Sequence, residues 1–216
     1  MCSNSSANLT RRSIVRAAIV IIAQQGLDAL TAGRLIEQAS VSKGGLYHHF
    51  RTMAAVETEV LELLTQTVLQ EVKSSEQPAS TEAFFDLVEG QLFKCFSVDN
   101  LSIKALFGFL SASAHNKERQ LIIRRFMDEI ALIRLEQLKR VSPHLSHMEL
   151  NAVVQAIASL QVGLVARYFL AEDLVSLRNY WACCRKTVVV MLEKCERRSR
   201  ASLQQNEAVG QLTNAE

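Results

Sequence analysis

Apolar residues return every third or fourth position along nearly the whole chain, and no stretch alternates strictly enough to predict a strand. The pattern therefore predicts an all-α protein. A first helix is expected over residues 10–25, with Ile14, Ala18, Ile21 and Ile22 on one face and Gly26 as its stop. Two short helices follow between Thr31 and Phe50. A fourth runs from Met53 to about Val72 with Val56, Val60, Leu63, Leu64 and Val68 as its stripe, and Ser74 to Pro78 breaks it. Further helices are expected over residues 81–96, 101–114, 117–141, 147–170 and 175–198. Asn116 suits an N-cap, and Ser146 with Glu149 three residues later forms a capping box. Residues 1–9 and 202–216 are polar and read as a flexible arm and a disordered tail. The remainder divides into a small N-terminal domain, 10–56, and a larger helical domain, 57–201.

The two short helices carry the most information. Thr31 can cap the first, whose apolar face is Leu35, Ile36 and Ala39, and Ser42 can cap the second. Leu46 and Phe50, four apart, should face inward. That turns Lys43, Gly44, Tyr47 and His48 outward. Two adjacent glycines cost about 1 kcal/mol each inside a helix, and they become useful where another molecule must approach the backbone. A helix opened by glycine, bearing a base and a tyrosine, after a tight turn is what a DNA-reading helix-turn-helix requires.

On these residues the chain resembles the tetracycline-repressor (TetR) family. The resemblance covers Arg12 to Val56: Ile14 with Ala17-Ala18, Gly26-Leu27, Thr31, Leu35, Ala39, and Val41-Ser42-Lys43-Gly44 leading to Leu46-Tyr47-His48-His49-Phe50. Three positions depart from it. Ser40 stands where the family usually has the turn glycine, Gly33 lies inside the first helix of the motif, and Met53 replaces a lysine that commonly grips phosphate. The resemblance implies a transcriptional regulator with a C-terminal helical regulatory domain, and a homodimer made by the last two helices through a four-helix bundle.

Charge supports a DNA-facing N-terminus. The whole chain is nearly balanced at +2, yet residues 1–53 hold six basic against two acidic side chains. Double-stranded DNA would then be read by Lys43 and His48, with Gly44 and Gly45 allowing close approach. Thr31, Ser42 and Tyr47 are placed to meet phosphates, and Arg11 or Arg12 could touch phosphate or enter an adjacent minor groove.

The C-terminal region suggests two other surfaces. Val153, Ile157, Leu160, Gly163 and Leu164, with Trp181, Cys184, Val188 and Met191, form apolar stripes on helices that are apolar on more than one side. They are the candidate dimer interface. Phe84, Phe93, Phe96, Phe107, Phe109 and Phe126 could line a cavity for a small apolar effector, although core packing explains each singly.

Other chemistry finds little support. His144 and His147 lack a third ligand, so no metal site is expected, and no cofactor motif or catalytic constellation is present that would mark an enzyme. Five cysteines without a C-x-x-C pair read as small apolar side chains in a reducing cytoplasm. No run of about 18 uninterrupted apolar residues predicts a membrane span. The apolar run Ile19-Val20-Ile21-Ile22 after Arg11-Arg12 reads as a helix, not an export signal. The sequence thus predicts a cytoplasmic DNA-binding regulator, most simply a repressor released from a palindromic operator by an apolar effector. Control by a protein partner, no effector at all, or a helical enzyme with a DNA-binding appendage remain as alternatives.

Overall fold

The computed structural model describes residues 3–97, 100–171 and 173–213, with side chains described over 8–97, 100–170 and 173–198. All regular elements among them are helices: α1 Ser3–Gln25, α2 Ala32–Ala39, α3 Lys43–His49, α4 Met53–Lys73, α5 Thr81–Lys94, α6 Leu101–Ala112, α7 Lys117–Val141, α8 His147–Ala171 and α9 Leu174–Thr213. Short 3-10 turns lie at Leu27–Ala29 and Ser113–His115. The caps act as the sequence predicts. Asn116 Oδ1 accepts from Arg119 N at 3.0 Å. Ser146 accepts from Glu149 N at 3.3 Å while Glu149 Oε2 takes the Ser146 N–H at 2.9 Å. Gly26, at φ 87°, ends α1.

Both chain ends differ from expectation. α1 begins at Ser3, so the arm expected over residues 1–9 is helical over its described part. α9 continues to Thr213 where a disordered tail was expected from 202, and 214–216 lie outside the described residues. Polarity suggested loose ends, but neither segment contains proline, and the last is rich in Ala, Leu, Gln and Glu, good helix formers.

The helices form two compact units, which do not divide at residue 57. One unit comprises residues up to Lys73 together with Ser97–Glu129, and the other Ser74–Phe96 with the chain from Ile130 onward. In the first, Ile14, Ile21 and Ile22 of α1 share a core with Leu35, Leu46, Phe50, Val56, Val60, Leu61, Ala105 and Phe109. α6 joins this unit because it can approach α1 closely: a Cβ on Gly108 would lie only 3.4 Å from Ile22 Cγ2. Leu63 of α4, expected inside, is exposed, and Leu61 and Thr65 are buried in its place. The stripe of α4 keeps Val56, Val60 and Leu64 as expected and broadens toward Leu61 and Thr65 instead of Leu63.

In the second unit, Phe84, Phe85, Val88 and Leu92 of α5 pack with Leu138 of α7, the inner side of α8, and Leu177, Trp181 and Leu192 of α9. Trp181 Nε1 donates to Glu89 Oε2 at 2.8 Å, and Arg185 Nη1 reaches the same oxygen at 3.0 Å and Asp86 Oδ1 at 2.7 Å. α8 has a mean hydropathy of 1.5 over its most apolar part, enough by length and composition for a membrane span. Asn151, Gln155 and Ser159 interrupt its apolar run without lowering that mean far. Its Val153, Val154, Ile157, Leu164 and Tyr168 are buried in the unit's own core.

Candidate nucleic-acid interface

The α2–turn–α3 segment is built from local hydrogen bonds. Thr31 Oγ1 accepts from Arg34 N at 3.5 Å to start α2, and Ser42 Oγ accepts from Gly45 N at 3.0 Å to start α3. Between them Ser40 adopts the left-handed conformation (φ 52°, ψ 44°), and Val41 N returns to Ile36 O at 3.1 Å. This is a Schellman-type stop, for which glycine is the usual residue. The chain makes the family's turn without the family's glycine.

α3 then presents two unlike faces. Leu46 and Phe50 are 1% and 2% exposed, anchored against α1 and α4, whereas Lys43, Gly44, Tyr47 and His48 face solvent. Neither the Lys43 ammonium nor the Tyr47 hydroxyl has a protein partner among the described residues. The two glycines are not equivalent. Gly44 is exposed, but Gly45 is half-buried, and a Cβ there would press to 3.3 Å on Ser42 Oγ. The bare backbone at 45 therefore protects the cap of α3, and Gly44 is the position open to a molecule outside.

The structure separates the two arginines proposed for DNA contact. Arg11 Nε donates to Glu59 Oε1 at 2.7 Å, its Nη2 pairs with the same carboxylate, and its Nη1 donates to His49 O at 2.9 Å. Its guanidinium also lies 4.4 Å from the centroid of the Phe50 ring. Arg11 thus joins α1 to α4 and to the last turn of α3, where a cation complements the exposed carbonyls. Arg12 and Arg16 are exposed and carry no ion pair among the described residues. Sequence reading missed Glu59 and the His49 carbonyl because they lie 48 and 38 residues from Arg11.

The other predicted sites are rearranged. Of the dimer candidates, Val153, Ile157, Leu164 and Trp181 are 1–4% exposed and face their own core. This corrects their placement on a free face. The remaining candidates, Leu160, Gly163, Cys184, Val188 and Met191, are left half-buried or exposed. The phenylalanines divide, with Phe84, Phe93 and Phe96 in one unit and Phe107, Phe109 and Phe126 in the other. Phe84 and Phe109 are 0% exposed and serve as core.

His144 and His147 are exposed, and no metal-binding group occurs among the described residues. Cys183 is exposed and Cys95, Cys184 and Cys195 are half-buried, so burial as small apolar side chains does not describe Cys183. A feature unforeseen in the sequence is Arg134, 4% exposed beside Gln137 at 2%. Burial pushes its pKa below the ordinary guanidinium value, to about 10, so the guanidinium keeps its charge at neutral pH.

A capped helix with a buried apolar side and an unpartnered basic and aromatic side, set after a tight turn, defines a DNA-binding helix-turn-helix. Residues 14–60 match the model for bacterial regulatory proteins of the tetR family. The N-terminal segment thus carries that family's DNA-binding module, which marks a DNA-binding transcriptional regulator. No protein of curated function matches the sequence.

Solved structures share the fold at low identity. A transcriptional regulator from Rhodococcus sp. Rha1 is 17% identical with TM-score 0.72, over 86% of this chain and 97% of its own. A TetR-family member from Streptomyces coelicolor A3 is 17% identical with TM-score 0.61, over 80% and 96%. The multidrug binding protein EbrR, complexed with ethidium, is 16% identical with TM-score 0.61, over 83% and 96%.

Proposed function

We propose that the protein acts as a homodimer that represses transcription by placing two α3 helices in successive major grooves of a palindromic operator, and that a small effector in the C-terminal region releases it. The observation that carries this reading is the exposed face of α3, with Lys43, Tyr47 and His48 turned away from Leu46 and Phe50. Lys43 reads a base edge and Tyr47 holds phosphate, with Thr31, Ser42 and Arg12 at the same surface. The apolar groove between α5, α8 and α9, about 300 Å³ and lined by Phe85, Ala156, Leu160, Cys184 and Val188, supports dimerisation, since a second copy would cover it. A neighbour of the same fold, EbrR, holds a small molecule, which supports an effector here. α4, α6 and α1 share one core, so a displacement of α6 would be felt at the helix-turn-helix. The effector acts only through its different affinity for the DNA-binding and released states.

A gel-shift panel over single-base variants of a selected operator tests the reading. Lys43→Ala should cost about 1–3 kcal/mol on the cognate operator and relax discrimination at one base pair. Tyr47→Phe should weaken all sequences alike. Unchanged binding by both variants would remove α3 as the reading helix.

A further inference from the structure

Arg134 is buried between α7 and α5 with an incomplete set of partners. Its Nη1 donates to Gln137 Oε1 at 2.8 Å, and its Nη2 donates to Gln91 Oε1. Its Nε–H and the Gln137 amide nitrogen are buried without any acceptor. No carboxylate pairs with Arg134 among the described residues. Both glutamine oxygens are already committed to the guanidinium, and turning either amide over would set donor against donor. With both oxygens engaged, the cluster still has two buried donors without acceptors and a positive charge.

Such a charge is costly when uncompensated in a core. A water could accept one N–H but would bring no negative charge. The missing partner is an anion with two acceptor oxygens, and the planar guanidinium fork suits a carboxylate. Along α7 the cluster is bracketed by Ala131 and Leu138, both part of an aromatic and aliphatic core that includes Phe84 and Leu92. Gln91, half-buried, carries the cluster toward the surface.

We propose that Arg134, Gln137 and Gln91 form the polar end of the effector site, and that the effector is a small apolar molecule bearing a carboxylate. This rests on the reading of the chain as an effector-controlled regulator, and it replaces a wholly apolar ligand with an amphipathic anion.

The test uses the full-length protein in thermal melts and operator gel shifts, with benzoate against benzyl alcohol and octanoate against octanol. At least one carboxylate should raise the melting temperature while its alcohol does not. Arg134→Met should lose that shift and bind the carboxylate roughly tenfold or more weakly, as expected for a charge-assisted hydrogen bond. Without probe, Arg134→Met should melt at or above the wild type, because it removes an uncompensated charge. Gln137→Leu removes the orphan amide but also an acceptor of the guanidinium, so it should melt below Arg134→Met.

Three results would overturn the proposal: no carboxylate shift, an equal response to the alcohol, or Arg134→Met melting well below the wild type, as it would if the network were already complete. Operator release by the alcohols alone would also overturn this site, while leaving the effector reading in place. A carboxylate shift that is lost in Arg134→Met, without operator release, would support the site and count against the regulatory reading.

Discussion

Arg11 and Arg12 are adjacent in sequence and opposite in role, and this contrast can be measured. Arg11 makes a two-point pair with Glu59, with side chains 42% and 31% exposed. At that exposure the pair contributes about 0.5–1 kcal/mol. The hydrogen bond to the His49 carbonyl adds about 1 kcal/mol, and the cation over Phe50 about 0.5 kcal/mol. These share one side chain and are not independent, so Arg11→Ala should cost about 2 kcal/mol. For a chain of this size that lowers the melting temperature by roughly 4–8 °C. It should also loosen the end of α3 and weaken specific DNA binding.

Arg11→Ala should not, however, change the number of phosphates neutralised. The slope of log affinity against log salt should therefore stay that of the wild type. Arg12, exposed and unpaired, should behave in the converse way. Arg12→Ala leaves the melting temperature alone and makes the slope shallower by about 0.9 for each phosphate that is no longer neutralised, twice that in a dimer. Glu59→Gln completes the set: it releases Arg11 without removing it, so stability falls while the arginine becomes free to meet DNA. A melting temperature unchanged by Arg11→Ala, together with a salt slope reduced as for Arg12→Ala, would show that Arg11 is a DNA contact and refute the clamp.

Three further outcomes follow from single positions. Ser40→Gly should stabilise the protein by about 0.5–1 kcal/mol, because the left-handed cost of a Cβ exceeds the extra chain entropy of glycine; chemical denaturation that gives equal or lower stability would contradict the Schellman assignment. Gly163→Glu should leave the protomer folded, since nothing lies within 4 Å of a Cβ there, yet sediment as a monomer if this face is the dimer interface; a stable dimer would move the interface elsewhere. Ser146→Ala should cost about 1 kcal/mol at neutral pH. The Ser146 hydroxyl and N–H hold the Glu149 carboxyl below its ordinary pKa. That part of the stability is present above the ordinary carboxylate range and lost as pH falls through the folded value, so the gap between variant and wild type should narrow in acid.

What the sequence revealed and what it hid follow from the range of the interactions. Caps are made within three residues, so Thr31, Ser42, Asn116 and Ser146 were readable in place. The inward pair Leu46 and Phe50 lies one turn apart, and its burial leaves Lys43, Gly44, Tyr47 and His48 turned to solvent. Periodicity loses its power where a helix is apolar on two sides. On α8 Val153, Ile157, Leu160 and Leu164 read as one stripe, and only the packing shows Val153, Ile157 and Leu164 in the core with Leu160 partly buried at its edge. The Arg11 clamp was out of reach altogether, because nothing near Arg11 in sequence announces Glu59.

Arg134 lies between these cases. It falls on the stripe of Ala131, Leu135 and Leu138, at the spacing where a buried residue belongs, with Gln137 one turn further on the same side. An arginine on such a stripe reads most simply as an error of register or a side chain reaching round to solvent. The structure removes both readings, since Leu135 and Leu138 are buried and Arg134 is 4% exposed beside them. A buried cation that two neutral amides hold, but do not neutralise, is poorly explained by stability alone, because an apolar side chain of similar length would fill the space at lower cost. Its presence is better explained by a partner that comes and goes, and a regulator is a protein whose core has reason to be incomplete until its ligand arrives.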